Sequence, residues 1–162
     1  MYAAEFDYYK AGSVADAIQL LGAHPGAKLI AGGHSLLPLM KLRLARPTAL
    51  VDIGRIDELK GVSVEGETIR IGALATHGEI AASTAVQHAC EMVAEAASGI
   101  GDAQVRNRGT IGGNVAHADP ASDLPTVLTV MDAKFTIQGR GGITSRGTRT
   151  VSADDFFTGP FE

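Results

Sequence analysis

Cysteine is nearly missing from this chain: Cys90 stands alone among 162 residues. A single thiol makes no internal disulfide, and it cannot furnish the set of thiolates that holds an iron–sulfur cluster. Any such cluster serving this protein must therefore sit on another chain. Tryptophan is absent and aromatic residues make up only 5% of the sequence, which removes the stacking platforms that single-stranded nucleic acid needs. Positive charge is not in excess either. Lys and Arg number 14 against 18 Asp and Glu, and the formal net charge of −4 leaves no basic field to gather a polyanion. No apolar run approaches the ~20 residues of a membrane-spanning helix. The opening residues Met1-Tyr2-Ala3-Ala4-Glu5 have neither the basic nor the apolar part of a signal peptide, so a cytoplasmic location is expected.

What is present is a soluble, globular composition, 45% hydrophobic and 20% charged, at a length that suits one domain or two small lobes around a shared core. Glycine is abundant, at 20 residues, and pairs of it stand at Gly32-Gly33, Gly112-Gly113 and Gly141-Gly142. Glycine pairs between apolar runs mark places where the backbone must come close to something.

The pattern predicts an α+β chain in two parts. Ser13 with Asp16 resembles a capping box, and Val14, Ala17, Ile18 and Leu21 follow at helical spacing up to Gly22. Lys28 to Ala31 reads as a short buried strand that ends at the first glycine pair. Ser35 to Leu44 reads as a helix burying Leu36, Leu37, Leu39, Met40 and Leu44, and Ala49 to Ile53 as a second strand. Strand, glycine turn, helix and strand make a βαβ-type unit, and residues 1–55 are taken as a first lobe. Beyond it, residues 56–162 form a second lobe with an antiparallel sheet. Val62 to Glu65 and Thr68 to Gly72 alternate around Gly66-Glu67, a two-residue hairpin. Thr76 with Glu79 is a second capping box, Thr84 to Ala97 a longer helix, and Ile100 to His117 an ordered loop. Ser122 caps a helix that buries Leu124, Val127, Leu128 and Met131, and Lys134 to Gln138 pairs with Arg146 to Val151 across Gly139 to Gly142. The apolar closing residues around Phe156-Phe157 need something to pack against, which suggests that the natural polypeptide continues.

Two glycine loops carry the chemistry: Ala31-Gly32-Gly33-His34-Ser35 and Thr110-Ile111-Gly112-Gly113-Asn114. Successive N–H groups at such turns can form a concavity for an anion, and a helix starting near Ser35 adds its positive N-terminal end. Two of them converging would suit a pyrophosphate. A Gly-Gly pair taken singly is more often a tight turn. Neither loop fits the G-x-G-x-x-G fingerprint of a nicotinamide site. His34 fits backbone or cofactor contact better than base catalysis, His77 and His117 read as surface or structural, and the histidines are too scattered to suggest a metal. Asp119 and Asp123 read as helix-capping acids, Arg106 and Arg108 as solvated charge, and Cys90 as a small buried hydrophobe.

The run Ala31-Gly32-Gly33-His34-Ser35-Leu36-Leu37-Pro38-Leu39-Met40-Lys41 resembles the first FAD motif of the molybdopterin dehydrogenase flavoprotein family. That family includes the medium subunit of aerobic carbon monoxide dehydrogenases and the flavin domain of xanthine dehydrogenases. Thr110 to Asn114 is similar to its second motif, and Ala118-Asp119-Pro120-Ala121-Ser122-Asp123-Leu124-Pro125 to the continuation. Lesser matches at Phe6-Asp7-Tyr8, Leu50-Val51-Asp52-Ile53, Ile71-Gly72-Ala73 and Asp155-Phe156-Phe157 keep the resemblance collinear along the chain. It implies a two-lobe FAD-binding fold of the vanillyl-alcohol-oxidase/MurB type. The diphosphate would lie along Leu29, Ile30, Ala31, Gly32, Gly33, His34, Ser35 and Leu36. Thr110, Ile111, Gly112, Gly113 and Asn114 would meet it from the second loop, Asp123 would accept hydrogen bonds from a polar part of the cofactor, and Ile100 would pack nearby. The resemblance also implies an electron-transfer role beside a large molybdopterin-containing subunit and a small subunit with 2Fe–2S clusters, the organic substrate reacting elsewhere. The family's further C-terminal domain has no counterpart in these residues. The alternatives are a stand-alone flavin oxidoreductase of the same fold and a cofactor-free interaction module.

Overall fold

The computed structural model describes residues 2–139 and 147–161. It opens on strand β1, Asp7–Lys10, a segment with no apolar alternation to mark it in the sequence. Helix α1, Val14–Ala23, starts where the Ser13 hydroxyl accepts from the Asp16 N–H. Strand β2, Lys28–Ile30, helix α2, Leu36–Lys41, and strand β3, Ala49–Asp52, follow. The three strands form a parallel sheet in the order β1-β3-β2, with Tyr8 opposite Leu50 and Leu29 opposite Val51. Buried Ala49, Leu50 and Val51 make β3 its centre. As an edge strand with one neighbour, β2 is not the buried segment expected over Lys28 to Ala31: it stops at Ile30, and Leu29 stays 43% exposed.

Helix α2 is shorter than the expected Ser35 to Leu44. It closes in a Schellman motif: the Arg43 N–H donates to the Met40 carbonyl and the Leu44 N–H to the Leu39 carbonyl, with Arg43 left-handed at φ 60°. That reversal turns the chain away before another helical turn can form. Of the five apolar residues expected in the core, only Met40 is buried. Leu36 and Leu39 are half-buried, while Leu37 and Leu44 face solvent.

A short 3-10 turn, Asp57–Leu59, leads into the hairpin of β4, Val62–Glu65, and β5, Thr68–Ile71, where left-handed Gly66 makes the expected two-residue turn. The capping box of Thr76 and Glu79 starts α3, His77–Ala82, as the spacing predicts. The single helix expected over Thr84 to Ala97 is two: α4, Thr84–Ala89, and α5, Glu91–Gly99, broken at half-buried Cys90. The break lets α4 pack on β4 while α5 packs on both α3 and α8.

Nor is Ile100 to His117 a loop. It contains α6, Ala103–Arg106, capped by Asp102, and α7, Ile111–His117, capped by Thr110. Glycines at 101, 109, 112 and 113 erase the apolar periodicity there, so only the two caps signal helix. Helix α8, Asp123–Val130, buries Leu124 and Leu128, whereas Met131 is 39% exposed. Strands β6, Lys134–Gln138, and β7, Thr148–Ser152, pair antiparallel; most of the expected turn, with Gly141-Gly142, lies outside the described residues. Helix α9, Ala153–Phe156, lets Phe156 and Phe157 meet Phe135 edge-on at 5.0 and 5.7 Å.

The core falls into two clusters. One gathers Ala11, Ala17, Val51 and Ile56 from the parallel-sheet part together with Leu74. The other centres on Ile80, Val86, Ala97, Ile111 and Leu124 among the later helices. Ile80→Ala should therefore cost about 2–5 kcal/mol in urea denaturation, the usual range for emptying a buried site. Leu44→Ala, at a residue 74% exposed, should stay within about 0.5 kcal/mol of the parent. Equal losses would contradict this placement of α2 and its turn.

Candidate cofactor-binding site

Strand β2 delivers Ala31 and the first glycine pair to the top of the parallel sheet, where they turn into α2. Gly32 is there for contact. A Cβ on it would stand 2.0 Å from the Arg108 carbonyl oxygen and 3.0 Å from the Gly109 α-carbon. Gly33 is there for conformation, at φ +77°, and a Cβ on it would lie 2.9 Å from Leu37 Cδ1. The two glycine motifs, remote in sequence, thus meet: the first loop rests on the residues that lead into the second.

Their backbone donors differ. Among the described residues, no protein group accepts from the N–H groups of Gly32, Gly33, His34, Ser35 or Leu36. Ser35 precedes α2 without capping it, and the His34 imidazole turns back to the Gly32 carbonyl, with Nδ1 at 3.2 Å. Successive N–H groups left free at a turn are an anion cradle. The second motif is instead the first turn of α7, and its donors are engaged. Ile111 N–H donates to the Ala75 carbonyl at 3.0 Å, Gly112 N–H to that of Ala73 at 2.9 Å, and Gly113 N–H to Thr110 Oγ1 at 3.2 Å. Gly112 serves packing, since a Cβ would stand 2.6 Å from the Ala73 carbonyl oxygen, and Ile111 points into the core.

Asn114 has its partner too. Its amide and the Ser122 hydroxyl exchange hydrogen bonds at 2.8 and 3.1 Å, tying α7 to the start of α8. Ser122 therefore does not cap α8 with its side chain. It lines an open cleft of about 250 Å³ with Ile100, Gly101, Asp119 and Asp123. Ile100 and Asp123, expected near one ligand, do share one cavity. Asp119 forms the turn beneath it by accepting from the Ala121 N–H at 2.9 Å.

The sequence expectation missed Arg106 as a support, while His77 takes the structural one of its two expected roles. Arg106 is not solvated charge: it is half-buried, and Nη1 donates to the carbonyls of Ile100 at 3.1 Å and Gly101 at 3.0 Å, fixing the wall of the cleft. His77 is buried beneath Gly109, whose added Cβ would stand 2.9 Å from the ring, and the His77 backbone N–H donates to the Gly109 carbonyl. His77 Nδ1 has no partner, and burial lowers its pKa, favouring the neutral ring. The signal for both was position: each stands within a few residues of a helix cap beside the second motif. Among the described residues, no cluster of His, Cys, Asp and Glu could hold a metal.

The structure thus brings a sheet-edge loop with N–H donors free among the described residues against a second glycine motif beside a polar cleft. The chain belongs to the family described as the FAD binding domain in molybdopterin dehydrogenase, matched over residues 4–162. It is 48% identical over 157 residues to the carbon monoxide dehydrogenase medium chain of Hydrogenophaga pseudoflava, covering 96% of this chain and 53% of that one. It is 40% identical over 161 residues to the glyceraldehyde dehydrogenase medium chain of Sulfolobus acidocaldarius, covering 99% and 56%. A solved carbon monoxide dehydrogenase from Hydrogenophaga pseudoflava superposes with a TM-score of 0.94 at 47% identity, over 100% of this chain and 55% of that one. The chain thus spans about half the length of these relatives.

Gly32→Ala should push the first loop off Arg108, because its neighbour is backbone and cannot rotate aside. A loss of about 1–3 kcal/mol in denaturant stability is expected, with helix content by circular dichroism retained; an unchanged midpoint would mean the loops do not touch. His77 predicts a pH dependence. Above the usual histidine pKa near 6.5 the ring is neutral in both folded and unfolded chains. As pH falls below it the unfolded chain gains a proton the folded one resists, so stability declines from there toward the lowered folded pKa. Thermal melts between about pH 7.5 and 5.5 should show that decline, and His77→Leu should flatten it. An identical slope in the variant would contradict the buried, neutral ring.

Proposed function

We propose that this chain is the FAD-holding portion of the electron-transferring medium subunit of a molybdenum hydroxylase or dehydrogenase. In this reading it forms the two-lobe fold of the vanillyl-alcohol-oxidase/MurB type, residues 1–55 and 56–162 being the lobes. The supporting observation is the row of N–H groups from Gly32 to Leu36 that have no protein acceptor among the described residues, on a loop whose glycines let it rest against Arg108 and adopt φ +77°. Those donors suit a pyrophosphate, and the short α2 behind them adds little dipole, so hydrogen bonding carries the attraction.

The residues then divide by task. Leu29, Ile30 and Ala31 set the height of the cradle, Gly32 to Leu36 donate to the diphosphate, and Gly113 leaves room for it at the second motif. Thr110 and Asn114 act mainly by shape, since their side chains already hold α7 and Ser122. Asp123 and Ile100 receive a polar part of the cofactor in the cleft, with Arg106 keeping its wall in place. The chemistry FAD supplies when bound is reversible electron uptake; this chain binds, orients and shields it and contributes no acid–base group. Electrons would come from 2Fe–2S clusters on a small subunit, after substrate oxidation at a molybdenum centre on a large one, and leave to an external acceptor.

Purified as the complete natural polypeptide, the protein should be yellow and release FAD on denaturation. Gly33→Val would force a branched side chain into φ +77° and against Leu37, shifting the loop's N–H groups, and should weaken FAD binding at least tenfold, or ~1.4 kcal/mol, while the circular dichroism spectrum holds. Unchanged affinity in a folded variant would remove the first loop from the site.

A further inference from the structure

Two polar side chains are buried among the described residues, Thr110 and His77. Thr110 caps α7, whereas the His77 ring keeps Nδ1 without a partner. A ring nitrogen buried in that way costs stability that an aliphatic side chain of similar size would not. The neighbours of the ring show what it does instead. The backbone at residue 77 is held from both sides. Its N–H donates to the Gly109 carbonyl at 3.0 Å, Ile111 N–H donates to the Ala75 carbonyl at 3.0 Å, and Thr76 bridges antiparallel to Thr110 between them. The capping box of Thr76 and Glu79 fixes the same turn from α3.

On that support the imidazole lies against buried Gly109, where an added Cβ would stand 2.9 Å from His77 Cδ2 and 3.0 Å from Nε2. The third near atom is the Val105 carbonyl oxygen at 3.1 Å, which also accepts from the Gly109 N–H at 2.6 Å. None of the three belongs to the first glycine loop, so that loop reaches Gly109 from another side. There a Cβ on Gly32 would stand 3.0 Å from the Gly109 α-carbon and 2.0 Å from the Arg108 carbonyl oxygen. Residues 108 and 109 thus form a shelf, with the His77 ring and the Val105 carbonyl behind it and the first loop resting on it.

We propose that His77 is a positioning residue for the first loop: its ring props the shelf of Arg108 and Gly109, and the shelf sets where the N–H groups from Gly32 to Leu36 stand toward a bound diphosphate. The inference rests on the functional reading above. Hydrogen bonds to an anion hold only within a narrow range of distance and angle, so a shelf that settles into the space of a missing ring takes the donors out of line. His77 touches neither the cofactor nor a reacting atom in this scheme; it acts through Gly109 and Gly32.

The test uses the complete natural polypeptide freed of flavin, with FAD titrated by calorimetry and the backbone amide spectrum of the cofactor-free protein as a second readout. His77→Ala, folded by circular dichroism, should weaken FAD binding at least about fivefold and move the amide signals of Gly32 to Leu36 before any FAD is added. Gly109→Ala presses on the same contact from its other partner. The backbone at Gly109 is not left-handed, so the added methyl meets the ring and no conformational bar, and binding should weaken to a similar degree. In the double variant the methyl enters the space the ring has left, so affinity and loop amides should return from those of Gly109→Ala toward wild type. A role confined to fold stability predicts lowered melting temperatures with FAD affinity and loop amides unchanged, and that result overturns the proposal. Should His77→Ala alone fail to fold, Gly109→Ala against the double variant decides: recovered affinity upholds the prop, and no recovery overturns it. A wild type that takes up no FAD removes the functional reading and this role with it. FAD bound equally well by wild type and folded variants removes the role alone.

Discussion

The space beside the α-carbon of Gly32 is filled by the carbonyl of Arg108, and most of the arrangement around the site follows from that contact. Any side chain there would strike backbone, which cannot move aside as a rotamer can. With hydrogen in its place, the loop at the end of β2 settles on the segment that leads into α7. The contact joins the parallel-sheet part of the chain to the helical part beside the free N–H groups of the first loop. Around it lie further close approaches of the same kind. Gly109 sits over the His77 ring, and Gly112 over Ala73. Glycine at these positions is thus less a source of flexibility than a means of letting the backbone come close to its neighbours.

The same packing explains why two similar motifs act differently. The second glycine pair is drawn into the chain's own hydrogen bonding, its N–H groups engaged by Ala75, Ala73 and Thr110. It is a rigid platform. The first pair, resting on that platform, keeps its donors free because the short α2 begins too late to engage them. From the platform, rigidity passes outward through Asn114 to Ser122 and through Arg106 to Ile100 and Gly101, so that the cleft is fixed by the helices that carry the second motif.

Much of this was legible in the sequence. The helix caps at Ser13 and Thr76, the hairpin at Gly66-Glu67 and the glycine loops rest on local chemistry that the next few residues determine. What was not legible depended on partners far away. Leu37 and Leu44 have the spacing of a buried face, yet the Schellman turn at Arg43 leaves them outside, since an Arg in the glycine position gives no sequence signal of a stop. The helices between Ile100 and His117 were hidden because glycine removes the apolar period while Asp102 and Thr110 still cap. Asn114 reads as a free donor at a loop; that Ser122 takes it appears only when α7 meets α8. His77 and Arg106 look like ordinary polar residues until Gly109 and the 100–101 turn are folded against them.

The proposed site is asymmetric: the first motif would grip the diphosphate through N–H groups free among the described residues, and the second would support it with donors already engaged. Backbone amide shifts during an FAD titration read it residue by residue. The account predicts that the amide protons from Gly32 to Leu36 move strongly downfield on binding while those of Ile111, Gly112 and Gly113 move little. The largest shifts at Ile111 to Gly113, with Gly32 to Leu36 unmoved, would contradict it.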